Sequence, residues 1–250
     1  MSRTRHDEIH PLRWFGLGFA GAALTPPAPP GWDRLITTQT GAALARAPHL
    51  LATVAPDRAL LVAPETPVAL HASRRVELRI LYLPPATPRT ARAVAVTPLL
   101  HALIERLVAR GTFDRRDAGD ARLIGVVLDE VAALAEVPHA LALPSDPRAR
   151  RAAEHALANP DAPLPAALLA QRAGVSPRTL ERVFAAQLGC GVAAWQRRLR
   201  LVVAERTLCA GGSVTDAAFD AGYASPSAFI AAFRGAFGTT PGRRARRVSR

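Results

Sequence analysis

One sequence pattern occurs twice near the C-terminus and constrains the fold more than any other feature of the chain. The first copy runs from Ala173 to Leu180 and continues with Phe184, Leu188 and Gly189. The second runs from Ala221 to Phe229 and continues with Phe233, Phe237 and Gly238. After one extra residue, Ala224, every apolar landmark returns at the same spacing. Each copy predicts a helix, a tight turn and a second helix. The pair therefore indicates a protein that binds DNA at two places.

The turn chemistry is the same in both copies. Gly174 and Gly222 end a helix at a position that needs a positive φ. Each second helix then starts at a serine N-cap followed by a proline, which are Ser176-Pro177 and Ser225-Pro226. The residues spaced by four on these helices predict core faces: Leu180, Phe184 and Leu188 in one copy, and Phe229, Phe233 and Phe237 in the other.

The residues left on the outside of these second helices are the candidates for DNA contact. For base contact the first unit offers Arg178, Thr179, Glu181 and Arg182, because Arg can bridge two acceptors of guanine and Glu can accept from cytosine. The second unit offers a small and apolar set, Ser227, Ala228, Ile230 and Ala231, which suits thymine methyls and positioning more than sequence reading. We therefore predict that the first unit carries most of the specificity.

Phosphate contacts are predicted for Ser176, Ser225, Arg197, Arg198 and Arg234, although the arginines of the connecting helix could equally form a solvated face. That helix, predicted over 192–210, would be about 28 Å long at ~1.5 Å per residue. Successive major grooves on one face of B-DNA lie about 34 Å apart. A rod of this length could seat both second helices in adjacent grooves, locked to both units by Trp195 and its apolar neighbours.

The charge distribution supports this interpretation. The formal net charge is +12, and all 32 basic residues are Arg. Residues 145–250 hold 16 Arg and 7 acidic residues, a net of +9, whereas residues 1–144 hold 16 Arg and 13 acidic residues, a net of +3. A GC-rich genome could explain the abundance of Arg, but its concentration beside the repeated motif suits contact with phosphates.

The C-terminal region resembles the DNA-binding domain of AraC/XylS-type transcription regulators. The resemblance covers about residues 160–247 and rests on the segments Gly174–Phe184, Trp195–Leu201, Val214–Phe229 and Phe237–Pro241. It implies two helix-turn-helix units with Ser176–Leu188 and Ser225–Phe237 as recognition helices. It also implies promoter DNA and RNA polymerase as partners and a cytoplasmic location. Activation is the role that we expect first, although the sequence does not decide between an activator and a repressor.

The fold class predicted for the whole chain is α+β, with a sheet region, two following helices and then an all-α domain of two helix-turn-helix units joined by a long helix. We expect an irregular N-terminal arm over 1–31, a β-barrel over 32–96, a helical pair over 97–137, a linker over 138–147 and the DNA-binding domain over 148–250, which ends in a basic tail at Arg243–Arg250. The helical pair either covers the barrel or pairs in part with a second subunit, giving a homodimer. No apolar stretch is long enough for a membrane span.

Many AraC/XylS regulators carry a cupin-like barrel, and Arg58–Pro64 and Val76–Leu83 resemble its later strands. Asp33 and Val68 stand where relatives often have metal-binding histidines, and His49 and His71 form no His-x-His pattern, so we expect no metal, cofactor or catalytic residue. The two cysteines, Cys190 and Cys209, fit a reducing compartment. Two functions stay in contention: a DNA-binding regulator controlled by a small-molecule effector or partner at the barrel, and a cupin-type enzyme with an accessory helical domain.

Overall fold

The computed structural model describes residues 13–19, 23–72, 74–85, 90–111, 117–137 and 140–248. Its strands are β1 (Arg13–Phe19), β2 (Ala23–Leu24), β3 (Asp33–Thr40), β4 (Ala43–Ala47), β5 (Leu50–Val54), β6 (Arg58–Val62), β7 (Ala69–His71), β8 (Val76–Leu83), β9 (Arg92–Ala95) and β10 (Leu141–Ala142). Its helices are α1 (Pro98–Arg110), α2 (Ala118–Ala132), α3 (Pro147–Ala158), α4 (Ala166–Ala173), α5 (Pro177–Leu188), α6 (Val192–Cys209), α7 (Val214–Asp220), α8 (Pro226–Phe237) and α9 (Pro241–Val248).

The strands form two antiparallel sheets of five strands each. The first has the order β1-β8-β3-β6-β9 and the second the order β10-β5-β4-β7-β2. Neither of these described sheets closes on itself, so the predicted cupin-like barrel over 32–96 is not confirmed. What the structure establishes is the coarser architecture, in which an N-terminal sheet region is followed by helices.

Two strands occur in the segment that we predicted to be an irregular arm. β1 pairs with β8 from Arg13↔Tyr82 to Phe19↔Val76, and β2 pairs with β7. These pairings correct the prediction for residues 13–19 and 23–24, while residues 1–12 lie outside the described residues. The pairing has a physical reason, since β1 gives the backbone groups of β8 hydrogen-bonding partners along an edge that would otherwise stay open.

Each face of the first sheet packs against a different layer. Side chains such as Ile36, Leu78 and Ile80 point toward the second sheet and pack with Val54 and Leu70. The alternate positions point the other way and pack with the two helices that follow the sheets, as the sequence pattern of Val76–Tyr82 predicts. The residues of this second cluster include Leu35, Leu61, Leu81, Val94, Leu100, Ile104, Leu107, Ile124 and Val127. Helices α1 and α2 therefore cover the sheet, and they leave Leu99 (51% exposed) and Val126 (44% exposed) at the surface.

The outer face of the second sheet packs against the C-terminal helices. Leu51 of β5 shares one apolar core with Leu141 and Leu143 and with Trp195 and Leu199 of α6. The segment predicted as a linker takes part in this contact, because β10 pairs with β5 and the indole Nε1 of Trp195 donates to the carbonyl oxygen of Ala142 at 2.8 Å. The sheet region and the helical domain are thus joined by packing as well as by the chain.

Helices α5, α6 and α8 begin and end within one residue of the predicted bounds, which are 176–188, 192–210 and 225–237. The sequence predicted a basic tail at Arg243–Arg250, but Pro241–Val248 forms helix α9. Arg244 is only 2% exposed, because its guanidinium reaches the carboxylates of Glu205 and Asp57. The described part of this tail is therefore a packed helix instead of a solvated extension.

Candidate DNA-binding surface

The two recognition helices start and stop in the same way. Gly174 and Gly222 adopt φ of 70° and 68°, as the tight turns require. The hydroxyl of Ser176 then accepts a hydrogen bond from the backbone N–H of Thr179 at 3.1 Å, and the hydroxyl of Ser225 accepts one from Ala228 at 3.3 Å. These local contacts place α5 and α8 at equivalent positions of their units.

The inner faces of α5 and α8 are core, as predicted. Phe184 is fully buried and meets Trp195 edge to face, with ring centroids 5.6 Å apart. In the second unit Phe229, Phe233 and Phe237 stack along one face, with successive centroids 5.5 and 4.4 Å apart. Because these rings fill the interior, only the opposite faces of the two helices are open to DNA.

The outer face of α5 presents two arginines one turn apart. Arg178 and Arg182 are both exposed, four positions apart, and so lie on the same face of the helix. Thr179, beside them, is half-buried, and its hydroxyl lies 2.9 Å from that of Ser176. The guanidinium groups of the two arginines therefore extend from this face without a core-packing role.

Glu181 lies on α5 but faces the next helix. One of its carboxylate oxygens accepts the backbone N–H of Val192 at 3.1 Å, at the start of α6. The N-cap of α6 is Gly191, which has no side chain to perform this task. A Cβ at position 191 would lie 2.7 Å from that carboxylate oxygen, so any larger residue there would make the Glu181 side chain shift. This geometry favours a structural role for Glu181 over the predicted base contact.

The outer face of α8 is small and apolar. Ser227, Ala228 and Ala231 are exposed, and Ile230 between them is 38% exposed. Arg234, at the C-terminal part of the helix, is exposed too. The two units therefore share a scaffold but present different chemistry, cationic on α5 and mostly apolar on α8.

Helix α6 holds both units through side chains one turn apart. The Gln196 amide accepts from the backbone N–H of Leu164 at 3.0 Å and donates to the Leu164 carbonyl oxygen at 2.9 Å, next to the first unit. Arg200 donates to the carbonyl oxygens of Ala221 and Gly222 at 3.1 and 3.4 Å, in the turn of the second unit. The Arg200 guanidinium also lies 5.2 Å from the centre of the Tyr223 ring.

These contacts distinguish Arg200 from the exposed arginines of the connecting helix. Arg200 is also an arginine of this helix, but its side chain is engaged with the second unit. Arg197 and Arg198 are exposed. Gln196 was missed by the sequence analysis, although a glutamine among apolar positions of an otherwise buried helix face is a signal for an internal hydrogen bond.

A buried ion network also escaped the sequence analysis. It consists of Asp57, Arg58, Glu205 and Arg244, and it lies where α6 and α9 meet the turn between β5 and β6. Glu205 is 1% exposed, pairs with Arg58, and accepts from Arg244 Nε at 2.8 Å. Burial lowers the pKa of Arg58, and the adjacent Glu205 carboxylate opposes that shift. Its partners are far apart in sequence, so no local pattern announces it.

Among the residues that the structure describes, no group of three or more His, Cys, Asp and Glu side chains is arranged to hold a metal ion. No helix in the described part of the chain is long and apolar enough to cross a membrane.

Comparison with known proteins gives consistent matches. Residues 169–247 match the family model of a helix-turn-helix domain. The HTH-type transcriptional regulator NimR of Escherichia coli (strain K12) is 29% identical over 216 residues, which is 84% of this chain and 78% of that protein. The HTH-type transcriptional regulator GlxA of Rhizobium meliloti (strain 1021) is 40% identical over 86 residues, 34% of this chain and 26% of that protein.

Among solved structures, a transcriptional regulator with an AraC-type DNA-binding domain from Chromobacterium violaceum is 29% identical, with a TM-score of 0.41, and the match covers 42% of this chain and 96% of that chain. The motif, the two outward helix faces and the sequence relatives together define a helix-turn-helix protein that binds DNA and regulates transcription. The resemblance of residues 160–247 to AraC/XylS-type regulators is compatible with the helix-turn-helix match in the same part of the chain. The relatives are regulators, so the alternative of a cupin-type enzyme has no support.

Proposed function

We propose that this regulator binds promoter DNA by placing α5 and α8 in successive major grooves on one face of the duplex. Helix α6 has 18 residues, which gives a length of about 27 Å at ~1.5 Å per residue. This length, together with the recognition helices on both sides of α6, is close to the ~34 Å distance between successive major grooves. Gln196 and Arg200 support the arrangement because they tie the two units to one rigid helix.

Base recognition is assigned mainly to the first unit. Arg178 and Arg182 read bases, with Thr179 beside them, and Glu181 fixes the start of α6 instead. In the second unit Ser227, Ala228 and Ala231 contact thymine methyls and position the helix. Phosphate contacts come from Ser176, Ser225, Arg197, Arg198 and Arg234. The observation that carries this assignment is the pair of exposed guanidinium groups on one face of α5, opposite the buried Leu180 and Phe184.

The test begins with selection of a tight-binding sequence from random duplexes by the full-length protein. Arg178→Ala and Arg182→Ala should each weaken binding to that sequence by about 1–3 kcal/mol, and they should weaken binding to random DNA much less. Arg122→Ala, at an exposed arginine of α2 in the sheet region, is the matched control and should change neither. Equal losses on selected and random DNA would mean that the two arginines touch only phosphates.

The phosphate contacts have a separate test. With several Lys or Arg contacts to phosphate, the logarithm of the binding constant falls linearly with the logarithm of salt concentration. Removing a single phosphate contact such as Arg234 should reduce that slope by about one. A flat salt response of the wild-type protein would remove the electrostatic part of the proposal.

We further propose that the N-terminal sheet region, with its cupin-like strands, is the sensor of a small-molecule effector or partner protein. The contacts made by β5 and β10 offer a route by which the sheet region can act on the DNA-binding domain. The proposed regulator is an activator that recruits RNA polymerase in the cytoplasm. We also propose that it forms a homodimer through Leu99 and Val126 of the helical pair. Sedimentation of the wild type and of Leu99→Glu/Val126→Glu tests the dimer, which requires the wild type to be dimeric and the variant monomeric.

A further inference from the structure

The buried ion network consists of four charges that sum to zero. Glu205 Oε1 is shared by two arginines, since it pairs with Arg58 and accepts from Arg244 Nε at 2.8 Å. Arg244 Nη1 in turn donates to both carboxylate oxygens of Asp57, at 3.1 and 2.8 Å. Glu205 and Arg244 are 1% and 2% exposed, so their mutual attraction is weakly screened by solvent.

The network joins three parts of the molecule that have different tasks. Asp57 and Arg58 stand at the turn that leads into β6 of the sheet region. Glu205 belongs to α6, the rod between the two units. Arg244 belongs to α9, which directly follows the second recognition helix and is separated from Asp57 by 187 residues of sequence. The ion pairs therefore join the sheet region to the rod directly, through Arg58 and Glu205, and also by way of Arg244 of α9.

Apolar packing and a hydrogen bond support the same junction. Cys209, one turn after Glu205 on α6, is buried against Ala42 and Ala55 of the sheet region. The hydroxyl of Thr53 donates to the carbonyl oxygen of Val202 at 3.2 Å. A shift of the β5–β6 turn must consequently move α6 and α9 or break these contacts.

The sheet region does not block the DNA-facing side chains. Arg178, Arg182 and Arg234 are all exposed in the full chain, with the sheet region in place. Steric masking of these residues is therefore not how the sheet region acts in this conformation.

We propose that the contact between Asp57 and Arg244 is the link through which the sheet region sets the position of the second helix-turn-helix unit relative to the first. In this role Asp57 is a positioning residue for DNA binding. With the contact intact, the two recognition helices keep one fixed separation. With it broken, the Glu205–Arg244 pair and the Arg200 hydrogen bonds still hold the second unit to α6, but the sheet region no longer restrains α9, and the separation becomes less strict. This inference rests on the proposed binding to two successive grooves.

The experiment measures how strictly the full-length protein requires one spacing between its two contact regions on DNA. Duplexes carry the selected sequence either unchanged or with one or two base pairs inserted between the regions contacted by α5 and α8. The wild type should lose affinity with each insertion. Asp57→Asn should reduce that spacing penalty by about fivefold or more, the usual scale of coupling between sites.

Two further variants make the result specific to the contact. Arg46→Gln breaks an ion pair between the sheet region and the helical domain that lies outside the buried network. It joins Arg46 to the exposed Glu154 at 2.8 Å, and its loss should leave the penalty unchanged. Asp57→Glu keeps the charge and should retain most of the wild-type penalty. Thermal unfolding confirms that each variant is folded, and Asp57→Ser replaces Asp57→Asn if the latter is not.

The outcomes separate the two proposals. A normal wild-type penalty that persists in Asp57→Asn would overturn the role of the Asp57–Arg244 contact alone. A penalty that falls equally in Arg46→Gln would also overturn it, because any loosening of the two regions would then suffice. A wild type without a spacing penalty would overturn the two-groove binding and this inference with it.

Discussion

Replacing Glu205 by Gln isolates the energetic weight of the buried ion network, because the amide keeps the size of the side chain and removes its charge. In the wild type one carboxylate balances Arg58 and Arg244, both nearly excluded from solvent. After the substitution, Asp57 is the remaining acidic group of the network for two buried guanidinium groups. Removing one partner of a buried ion pair costs about 3–5 kcal/mol, and here two pairs share the partner.

That loss is large compared with the free energy of unfolding of a typical domain, about 5–15 kcal/mol. The assay is equilibrium urea unfolding at neutral pH, followed by far-ultraviolet circular dichroism, with the midpoint and the slope both fitted. Glu154→Gln is the matched control, because Glu154 also pairs with an arginine across the same two regions but is 48% exposed. An exposed pair contributes about 0–1 kcal/mol.

The comparison decides between two accounts of the junction. If Glu205→Gln lowers the unfolding free energy by less than about 1 kcal/mol, like a typical exposed pair, the network does not hold the sheet region to α6 and α9. Raising the salt concentration gives an independent check, since it should shrink the effect of Glu154→Gln and leave that of Glu205→Gln nearly unchanged.

Three further changes test the scaffold. Gly222→Ala should destabilise the protein by more than Gly174→Ala. Both glycines have a positive φ, which costs about 1–2 kcal/mol for alanine. The new Cβ at position 222 would also lie 2.9 Å from the Asp161 carbonyl oxygen, whereas a Cβ at position 174 would have open space. Equal losses in urea unfolding would contradict this. Gln196→Met should lower the free energy of unfolding by about 1–3 kcal/mol, because it leaves the backbone N–H and carbonyl groups of Leu164 without the Gln196 amide. The exposed control Arg197→Met should change it very little. An equal loss in the control would show that the Gln196 hydrogen bonds do not stabilise the first unit. Burial raises the pKa of the Cys209 thiol to about 12. At pH 8 the thiolate population at Cys209 should therefore be roughly a thousandfold lower than for an ordinary cysteine. A thiol reagent should consequently label the half-buried Cys190 of the native protein first. Equal labelling rates would show that the α6 junction opens readily.

The sequence predicted those features that are encoded locally. The bounds of α5 and α8 follow from a serine N-cap, a proline and a terminal glycine within each copy, and their core faces follow from apolar residues spaced by four. The strand Val76–Leu83 was likewise evident from its alternation. In contrast, β4 was missed, because its alternating residues are mostly alanine, a weak strand former.

Long-range contacts account for the rest of the differences. The acidic side chain of Glu181 has the right chemistry for cytosine, and only the fold reveals that it caps α6 eleven residues away. Arg244 looks like part of a basic tail until its partners, 39 and 187 residues away, are known. Periodicity and capping rules describe neighbours in sequence, so they contain no information about such pairs.

The way α6 holds the two units has a consequence for the divergence of related proteins. Gln196 and Arg200 bind mainly to main-chain atoms of Leu164, Ala221 and Gly222, so their hydrogen bonds do not depend on which side chains the recognition helices carry. Substitutions on the outer faces of α5 and α8 can therefore accumulate while the separation of the two helices stays the same. If both helices bind DNA as proposed, a few surface changes on this scaffold can change the operator sequence while the geometry that holds the two helices stays the same.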